Sequence, residues 1–327
     1  MHNLINNIID DSYEKLLFDE MTIEYSEEGG WSDYSELLST AIAQLKESDK
    51  KKVIVIKVGE MFDVIVVNEI TKELQKNFPD KEFILLVNDN QEVDIEFTFI
   101  NALPGWPMVL RHAYDHSGEN IEKFKDINNN HIRKKLFNSR TSLPKTHRLE
   151  WIEFLEKNNL KDRGYVSEGW NGIYIEGVKS VRIEYEGGSY HARNDFGLID
   201  YYKDVFCEVV LSSDYEINES IYGAFCTEKE WRPFLMCAIP MIITFINYDK
   251  YLKDAGFDMF DDVIDTSFYK TDDLDRKFNI IKSNFKIIES DLIIDGKFRD
   301  DIWTRLKLNQ ERFINGWENY FYGKIND

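Results

Sequence analysis

The chain has 327 residues, of which 43% are hydrophobic and 14% aromatic, which excludes a disordered protein and is enough for two domains. The net charge of −20 argues against a protein whose whole surface binds nucleic acid, because lysine and arginine contacts to phosphate dominate that affinity. The longest apolar run, residues 234–246, is shorter than the roughly 20 residues of a membrane span and contains Pro240, so no membrane span is predicted.

The first part of the chain alternates helical and strand patterns. Helices are predicted at residues 32–46 and 67–78, where apolar residues recur at spacings of three and four. Strands, which are short and nearly all apolar, are predicted at residues 53–58, 83–87 and 95–100. Buried strands alternating with helices indicate parallel pairing in a layered α/β sheet. We therefore predict a Rossmann-like α/β domain over residues 1–130.

A second α/β domain is predicted over residues 131–327, after a loosely patterned segment rich in Pro, Gly and Asn. Its predicted strands lie at residues 132–137, at 206–211 and within 234–245. Its predicted helices include one that carries Trp151 and others at residues 247–256, 273–288 and 302–320. Residues 172–197 are predicted to be either an irregular insertion or a small hairpin.

The cysteines predict the compartment. Cys207, Cys226 and Cys237 show no metal-type spacing and are typical of reduced, buried thiols in a cytosolic protein. The N-terminal stretch lacks the basic region and the long apolar stretch of a signal peptide. We therefore expect a cytoplasmic protein.

One stretch of the second domain has the pattern of an anion-binding helix start. Thr227 with Glu230 three residues later is a capping box, which fixes the entry of a helix. Glu228 and Lys229 then lie in the first turn, where open amides and the helix dipole face outward. A lysine beside such a helix start describes an anion site, most often one for phosphate. Pro233 removes an amide, so the helix is predicted to be short or kinked.

A local basic run lies upstream of this stretch, although the whole chain is acidic. Its members are His131, Arg133, Lys134, Lys135, Arg140, Lys145, His147 and Arg148. Such a run is typical either of a solvated face or of a basic groove, and the residues alone leave both alternatives open.

Two separated segments resemble the nucleotide-sugar-binding domain of the alpha-1,3-fucosyltransferase family, including its shorter bacterial and phage relatives. The first runs from residue 136 to 167, with Leu-Phe-Asn-Ser-Arg at its start and the His147–Arg148 pair inside it. The second runs from residue 225 to 265, with Thr-Glu-Lys followed by a Pro-containing strand. Together they cover about residues 136–265, with a gap in the middle.

The resemblance implies a GT-B type enzyme, in which two Rossmann-like domains face each other across a cleft and the second holds the sugar nucleotide. The family's residues at the positions of Arg148 and Lys229 neutralise the donor diphosphate, and the glutamate at the position of Glu228 holds the ribose. The resemblance implies no metal and no other cofactor. Asp273 and Asp275, an Asp-x-Asp pair, are accordingly interpreted as the solvated start of a helix.

Further donor-binding candidates come with alternatives. Arg140 lies at a loop position suited to a phosphate contact or to a surface ion pair, and His147 either faces the donor or only begins a helix. The family's acidic residue ahead of the Thr-Glu-Lys block has no match in place here. It has either moved to Asp214 or is missing, which affects the contacts to the donor's sugar.

The general base is expected from the first domain. An inverting transfer needs a carboxylate that takes the proton of the acceptor hydroxyl, and such groups lie at strand ends in α/β domains. Glu60 and Asp63 follow the strand at residues 53–58, and Asp89 follows the strand at residues 83–87. Each of the three is alternatively a plain loop carboxylate.

The expected function is a metal-independent glycosyltransferase that moves a sugar from a GDP- or UDP-sugar to a hydroxyl acceptor, with inversion. A glycan or lipid-linked saccharide is the acceptor that the resemblance implies. A phage enzyme, acting in the host cytoplasm on a hydroxymethylated DNA base, is an alternative that needs the basic run to line the cleft. A catalytically silent module that binds a sugar nucleotide or a protein is an alternative of a different class.

Overall fold

The structure is a computed structural model of the chain. It describes residues 12–19, 25–26, 30–31, 35–58, 64–87, 98–101, 121–141, 143–168, 171, 179–185, 188–194, 199–212 and 228–315. The chain divides into two compact units. The smaller comprises Met1–Gly105, Ile217–Phe225 and Glu318–Asp327, and the larger comprises Trp106–Glu216 and Cys226–Trp317.

The smaller unit contains a parallel sheet of four strands, β1 (Tyr13–Asp19), β4 (Lys52–Val58), β5 (Glu82–Val87) and β6 (Thr98–Asn101), which lie side by side in this order. Strands β2 (Tyr25–Ser26) and β3 (Gly30–Trp31) pair in a separate antiparallel ribbon. Helix α1 (Ser35–Glu47) precedes β4 and helix α2 (Val64–Asn77) precedes β5. Spatial order follows chain order, so the described strands of this unit are added in one direction only.

The predicted alternation of helices and parallel strands is confirmed in this unit. Val53, Ile54 and Val55 are fully buried, as expected for a continuous apolar strand inside a parallel sheet. Strand β1 is an addition that the sequence pattern did not predict. Its residues, Tyr-Glu-Lys-Leu-Leu-Phe-Asp, mix charged and apolar types without regular alternation, and pairing with β4 defines the strand.

The larger unit contains a second parallel sheet of four strands, β7 (Lys135–Thr141), β8 (Gly164–Glu168), β11 (Val205–Leu211) and β12 (Ile239–Ile243). Their order in the sheet is β12-β11-β7-β8. The chain moves from β7 to β8 through helix α3 (Thr146–Lys157), then crosses back to β11 and continues outward through helix α5 (Glu228–Leu235) to β12. The direction in which strands are added therefore reverses between β7 and β11.

Both faces of this sheet are covered by helices. On one face, the Trp151 indole of α3 donates to Ser139 Oγ at 3.0 Å, and the Phe137 ring stacks on Phe285 with centroids 4.9 Å apart. On the other face, Arg232 of α5 donates to the Glu208 carboxylate at 3.1 Å. Helices on both faces of a parallel sheet with a reversed strand order define a doubly wound, Rossmann-like unit.

The larger unit also contains further strands and α-helices. They are β9 (Lys179–Tyr185), β10 (Gly188–Asn194), α4 (Ile199–Lys203), α6 (Tyr248–Asp254), α7 (Leu274–Ile287), β13 (Ile293–Ile294), β14 (Lys297–Phe298) and α8 (Asp300–Asn315). Strands β9 and β10 form an antiparallel hairpin, which decides between the two alternatives for residues 172–197 as far as they are described. Helices α7 and α8 confirm the two predicted C-terminal helices, and residues 316–320 lie outside the described part.

The first strand of the larger unit begins later than predicted, at Lys135 instead of residue 132. The Arg133 amide bonds to the Gly296 carbonyl at 2.8 Å, so this part of the chain pairs with the turn between β13 and β14 and not with the sheet. The Arg133 guanidinium is buried 4.7 Å from the Phe298 ring centroid and 5.4 Å from that of Trp303. Burial lowers its pKa to about 10.

Residues 121–130, which the sequence assigned to the first domain, pack in the larger unit. Gln310 of α8 donates to the Phe124 carbonyl at 2.8 Å and to the Leu235 carbonyl at 2.7 Å, which ties this segment to the end of α5. Cys207 and Cys237 are buried free thiols, as predicted, and burial raises their pKa values. Cys226 lies outside the described residues. Within the described part of the chain, no helix is long and apolar enough to cross a membrane.

Candidate functional site

The reversal between β7 and β11 marks the candidate site. In open parallel α/β sheets, ligands bind outside the carboxyl ends of the strands at the point where the strand order reverses. Arg140 and Thr141 end β7, and Leu211 ends β11. Ser212 follows β11, and its amide donates to the Ile243 carbonyl of β12 at 3.0 Å. The hydrogen bonding between these two strands therefore continues one residue beyond the end of β11.

Two predicted donor-binding residues lie at this edge, in the first turn of α3. His147 Nε2 lies 2.9 Å from the Ser212 carbonyl oxygen. Arg148 Nη2 donates to the carbonyls of Leu211 and Ser212 at 3.3 and 3.4 Å, and its Nη1 donates to the Leu143 carbonyl at 3.4 Å. Both side chains are buried. They therefore tie α3 to the end of β11.

The third predicted residue at this edge, Arg140, belongs to a buried ion cluster. Its Nη2 lies 4.0 Å from Glu208 Oε1 and donates to the Tyr202 hydroxyl at 3.5 Å. Arg232 Nη1 donates to the same Glu208 oxygen at 3.1 Å. Burial and then the charge of Glu208 raise the pKa of Tyr202, so this phenol stays protonated. The cluster joins strands β7 and β11 to helices α4 and α5.

Asn138 lies beside this cluster. It is aligned with Glu208 in the parallel pairing of β7 with β11, so both side chains project from the same face of the sheet. Its side chain is fully buried, and neither its amide nitrogen nor its amide oxygen has a hydrogen-bond partner among the described residues. A buried amide of this kind is a place where an ordered water or a polar ligand atom is expected.

Helix α5 begins at Glu228 and is eight residues long, which confirms the prediction of a short helix around Pro233. Lys229 lies half-buried in its first turn. Thr227 lies outside the described residues, so the capping box stays a prediction. Lys229 and Arg232 belong to the same short helix. The ion pair between Arg232 and Glu208 therefore also holds the helix that carries Lys229 in place.

A buried lysine marks the end of the next strand. Lys277, in the first turn of α7, donates through Nζ to the carbonyl of Thr244, the residue after β12. It is 1% exposed, and burial lowers its pKa to about 8. His147, Arg148 and Lys277 thus all bond to main-chain carbonyls just where β11 and β12 end.

The other predicted site residues are less informative. Glu60, Asp63, Asp89 and Asp214 lie outside the described residues, and Glu228 is described only as the first residue of α5. Their assigned roles stay predictions. Asn138, Tyr202, Glu208, Arg232 and Lys277 were not predicted. A signal for Glu208 existed, because a lone acid inside the apolar run 205–211 must be paired when it is buried.

The basic run does not form a single surface. Its members at residues 131–135 precede or begin β7, and those at residues 145–148 follow β7. A seven-residue strand spans about 20 Å, so the two groups lie at opposite ends of strand β7. Arg133 is also buried, against the Phe298 and Trp303 rings, rather than available to a polyanion.

No cluster of three or more metal-ligating side chains occurs in the described part of the chain. Asp273 instead caps α7, since its carboxylate accepts from the Arg276 amide at 2.9 Å, which confirms the helix-start interpretation. Comparison with protein families, with curated proteins and with solved structures gave no match for this chain.

Proposed function

We propose that this chain is a glycosyltransferase that moves a sugar from a nucleoside diphosphate sugar to a hydroxyl acceptor with inversion. The observation that carries the proposal is the location of Arg140 and Arg148 at the carboxyl edge where the strand order reverses. This edge is where doubly wound sheets bind nucleotides. The cations there suit a ligand with several phosphate charges.

The proposed chemistry follows from the charge of the leaving group. As the bond between the sugar and the diphosphate breaks, negative charge grows on the departing nucleoside diphosphate. Fixed cations stabilise that charge more strongly in the transition state than in the ground state. Arg148 and Lys229 are assigned to the diphosphate, Arg140 to a further phosphate contact, and Glu228 to the ribose. His147, Thr227 and Asp214 complete the proposed donor side.

The acceptor side belongs to the smaller unit in this proposal. A GT-B arrangement, with the two units facing each other across a cleft, is part of it. Glu60 and Asp63 follow β4, and Asp89 follows β5, so all three come after the carboxyl ends of strands. One of them takes the proton from the acceptor hydroxyl. A saccharide is the favoured acceptor, because the split basic run gives duplex DNA no continuous cationic surface.

A second candidate function is a binding module that holds a sugar nucleotide without transferring the sugar. The altered segment at residues 211–216 favours it, because the family's acidic residue has no match in place there. The two functions differ in product formation alone, so one set of assays separates them.

The test combines binding and turnover. The wild-type protein is titrated calorimetrically with GDP and UDP and is incubated with labelled GDP-, UDP- and CMP-sugars. Lys229→Ala and Arg148→Ala should each weaken diphosphate binding at least about tenfold, the loss of one charge-assisted hydrogen bond. Lys134→Ala removes an exposed lysine just before β7, at the opposite edge of the sheet, and should change nothing.

Thermal unfolding of each variant distinguishes a lost contact from a lost fold, and Lys229 is the more decisive site because it is only half-buried. Unchanged diphosphate binding in both variants would refute the site. Binding without transfer from any donor would leave the binding module as the function.

A further inference from the structure

We infer that Glu208 is a positioning residue that holds Arg140 and helix α5 in a fixed relation, and thereby sets the spacing of the phosphate contacts. The phosphate part of this inference rests on the proposed function. The positioning part rests on the buried ion cluster alone and can be tested separately.

The first step is that Glu208 is an unusual residue for its place. Every residue of β11 is buried, and Glu208 lies in the middle of this strand. Burying a carboxylate costs several kcal/mol of hydration free energy, which ion pairing offsets only partly. Well-packed apolar residues in place of such a pair are often as stable or more stable. The stability of the sheet therefore does not account for an acid at this position.

The second step is that the Glu208 carboxylate serves two elements at once. Its Oε1 accepts from Arg232 Nη1 of α5 at 3.1 Å and lies 4.0 Å from Arg140 Nη2 of β7. The protonated Tyr202 hydroxyl accepts from the same Arg140 nitrogen at 3.5 Å. A charge shared between two guanidiniums fixes both, because moving either one leaves the buried acid less well compensated.

The third step connects this arrangement to the ligand. Arg140 is the next-to-last residue of β7, at the candidate site, and Arg232 anchors the short helix that begins at Glu228 and carries Lys229. If Glu208 loses its charge, Arg140 and α5 lose their common anchor. The distance between the Arg140 and Lys229 contacts then varies, and preorganisation for a diphosphate is lost. A nucleoside without phosphates makes neither contact and is unaffected.

The variant that tests this is Glu208→Gln, which keeps the shape and removes the charge. Its matched control is Glu168→Gln. Glu168 is also a buried acid on a strand of the same sheet, the edge strand β8, and it pairs with Lys161 at 2.6 Å, whereas α5 packs against β11 and β12. The pair Glu208→Met with Arg232→Met removes both charges together and serves if Glu208→Gln does not fold.

Two readouts are made on the full chain. Hydrogen exchange of the amides in residues 228–238 should be at least about tenfold faster in Glu208→Gln than in wild type or Glu168→Gln. Affinity for GDP or UDP, whichever the wild type binds, should fall at least about tenfold, while affinity for guanosine or uridine is unchanged.

Each outcome tests either the positioning part or the phosphate part of the inference. Unchanged exchange in α5 would refute the positioning role. Faster exchange with unchanged diphosphate affinity would refute the link between Glu208 and the phosphates, as would an equal loss of nucleoside affinity. If the wild type binds neither GDP nor UDP, the proposed function and the phosphate part fail together, and the exchange measurement still decides whether Glu208 positions α5.

Discussion

Gly164 at the start of β8 gives the most direct test of the packing that supports the candidate site. A Cβ atom added there would lie 2.5 Å from both Cε2 and Cζ of Phe137 in the neighbouring strand β7. The optimal separation of two carbon atoms is about 3.5–4.0 Å. Gly164→Ala therefore requires the Phe137 ring to move by about 1 Å.

The ring has little room to move. Phe137 is fully buried, stacks on Phe285 and meets the Trp151 ring edge-on with centroids 6.4 Å apart. Closely packed interiors resist such shifts, and overpacking typically costs about 1–3 kcal/mol. The backbone conformation is compatible with alanine, because Gly164 is extended with φ −125° and ψ 173°. Alanine would in fact gain about 0.5–1 kcal/mol through the unfolded state.

We expect Gly164→Ala to lower the free energy of unfolding by about 1 kcal/mol, because a steric cost of about 2 kcal/mol exceeds the entropic gain. Urea denaturation followed by tryptophan fluorescence measures this value. Phe137→Val removes the clashing ring atoms, so the cost of Gly164→Ala should shrink by at least about 1 kcal/mol in that background. Gly164→Ala with wild-type stability, or a cost that is the same in both backgrounds, would refute the reasoning.

Two further predictions concern buried charges. Arg232→Ala should lower the free energy of unfolding by about 3–5 kcal/mol, because it leaves Glu208 buried without its closest cation. The double variant Arg232→Met with Glu208→Met should lose much less stability, and equal losses in urea denaturation would contradict this. Lys277, whose pKa burial lowers to about 8, should make stability rise with pH between about 8 and 10, because the unfolded chain binds the proton that the folded chain releases. The stability difference between wild type and Lys277→Met should therefore change by about 2 kcal/mol across that window, and a pH-independent difference would rule out a depressed pKa.

The candidate site was only partly visible in the sequence. The sequence and the resemblance singled out Arg140, His147 and Arg148, which are close together in the chain, and the structure has all three at the same end of the sheet. Arg140 lies in strand β7 and not in the predicted loop, because β7 extends to Thr141. Glu208 and Arg232 were missed because their importance depends on a contact between residues 24 positions apart on different elements. No local pattern records which face of β11 meets α5.

The sequence by itself determined the class of the fold and most of its elements. Apolar periodicity, the helix start at Asp273 and the position of Pro233 are local, and they correctly predicted α7, the short α5 and the parallel strands of both units. Tertiary structure alone decided the strand order β12-β11-β7-β8, the separation of the basic run into two groups and the pairing of Glu208 with two arginines. The physical reason is that strand order is fixed by hydrogen bonds between distant segments. The residues that meet at the reversal between β7 and β11 are therefore set by pairing across the sheet.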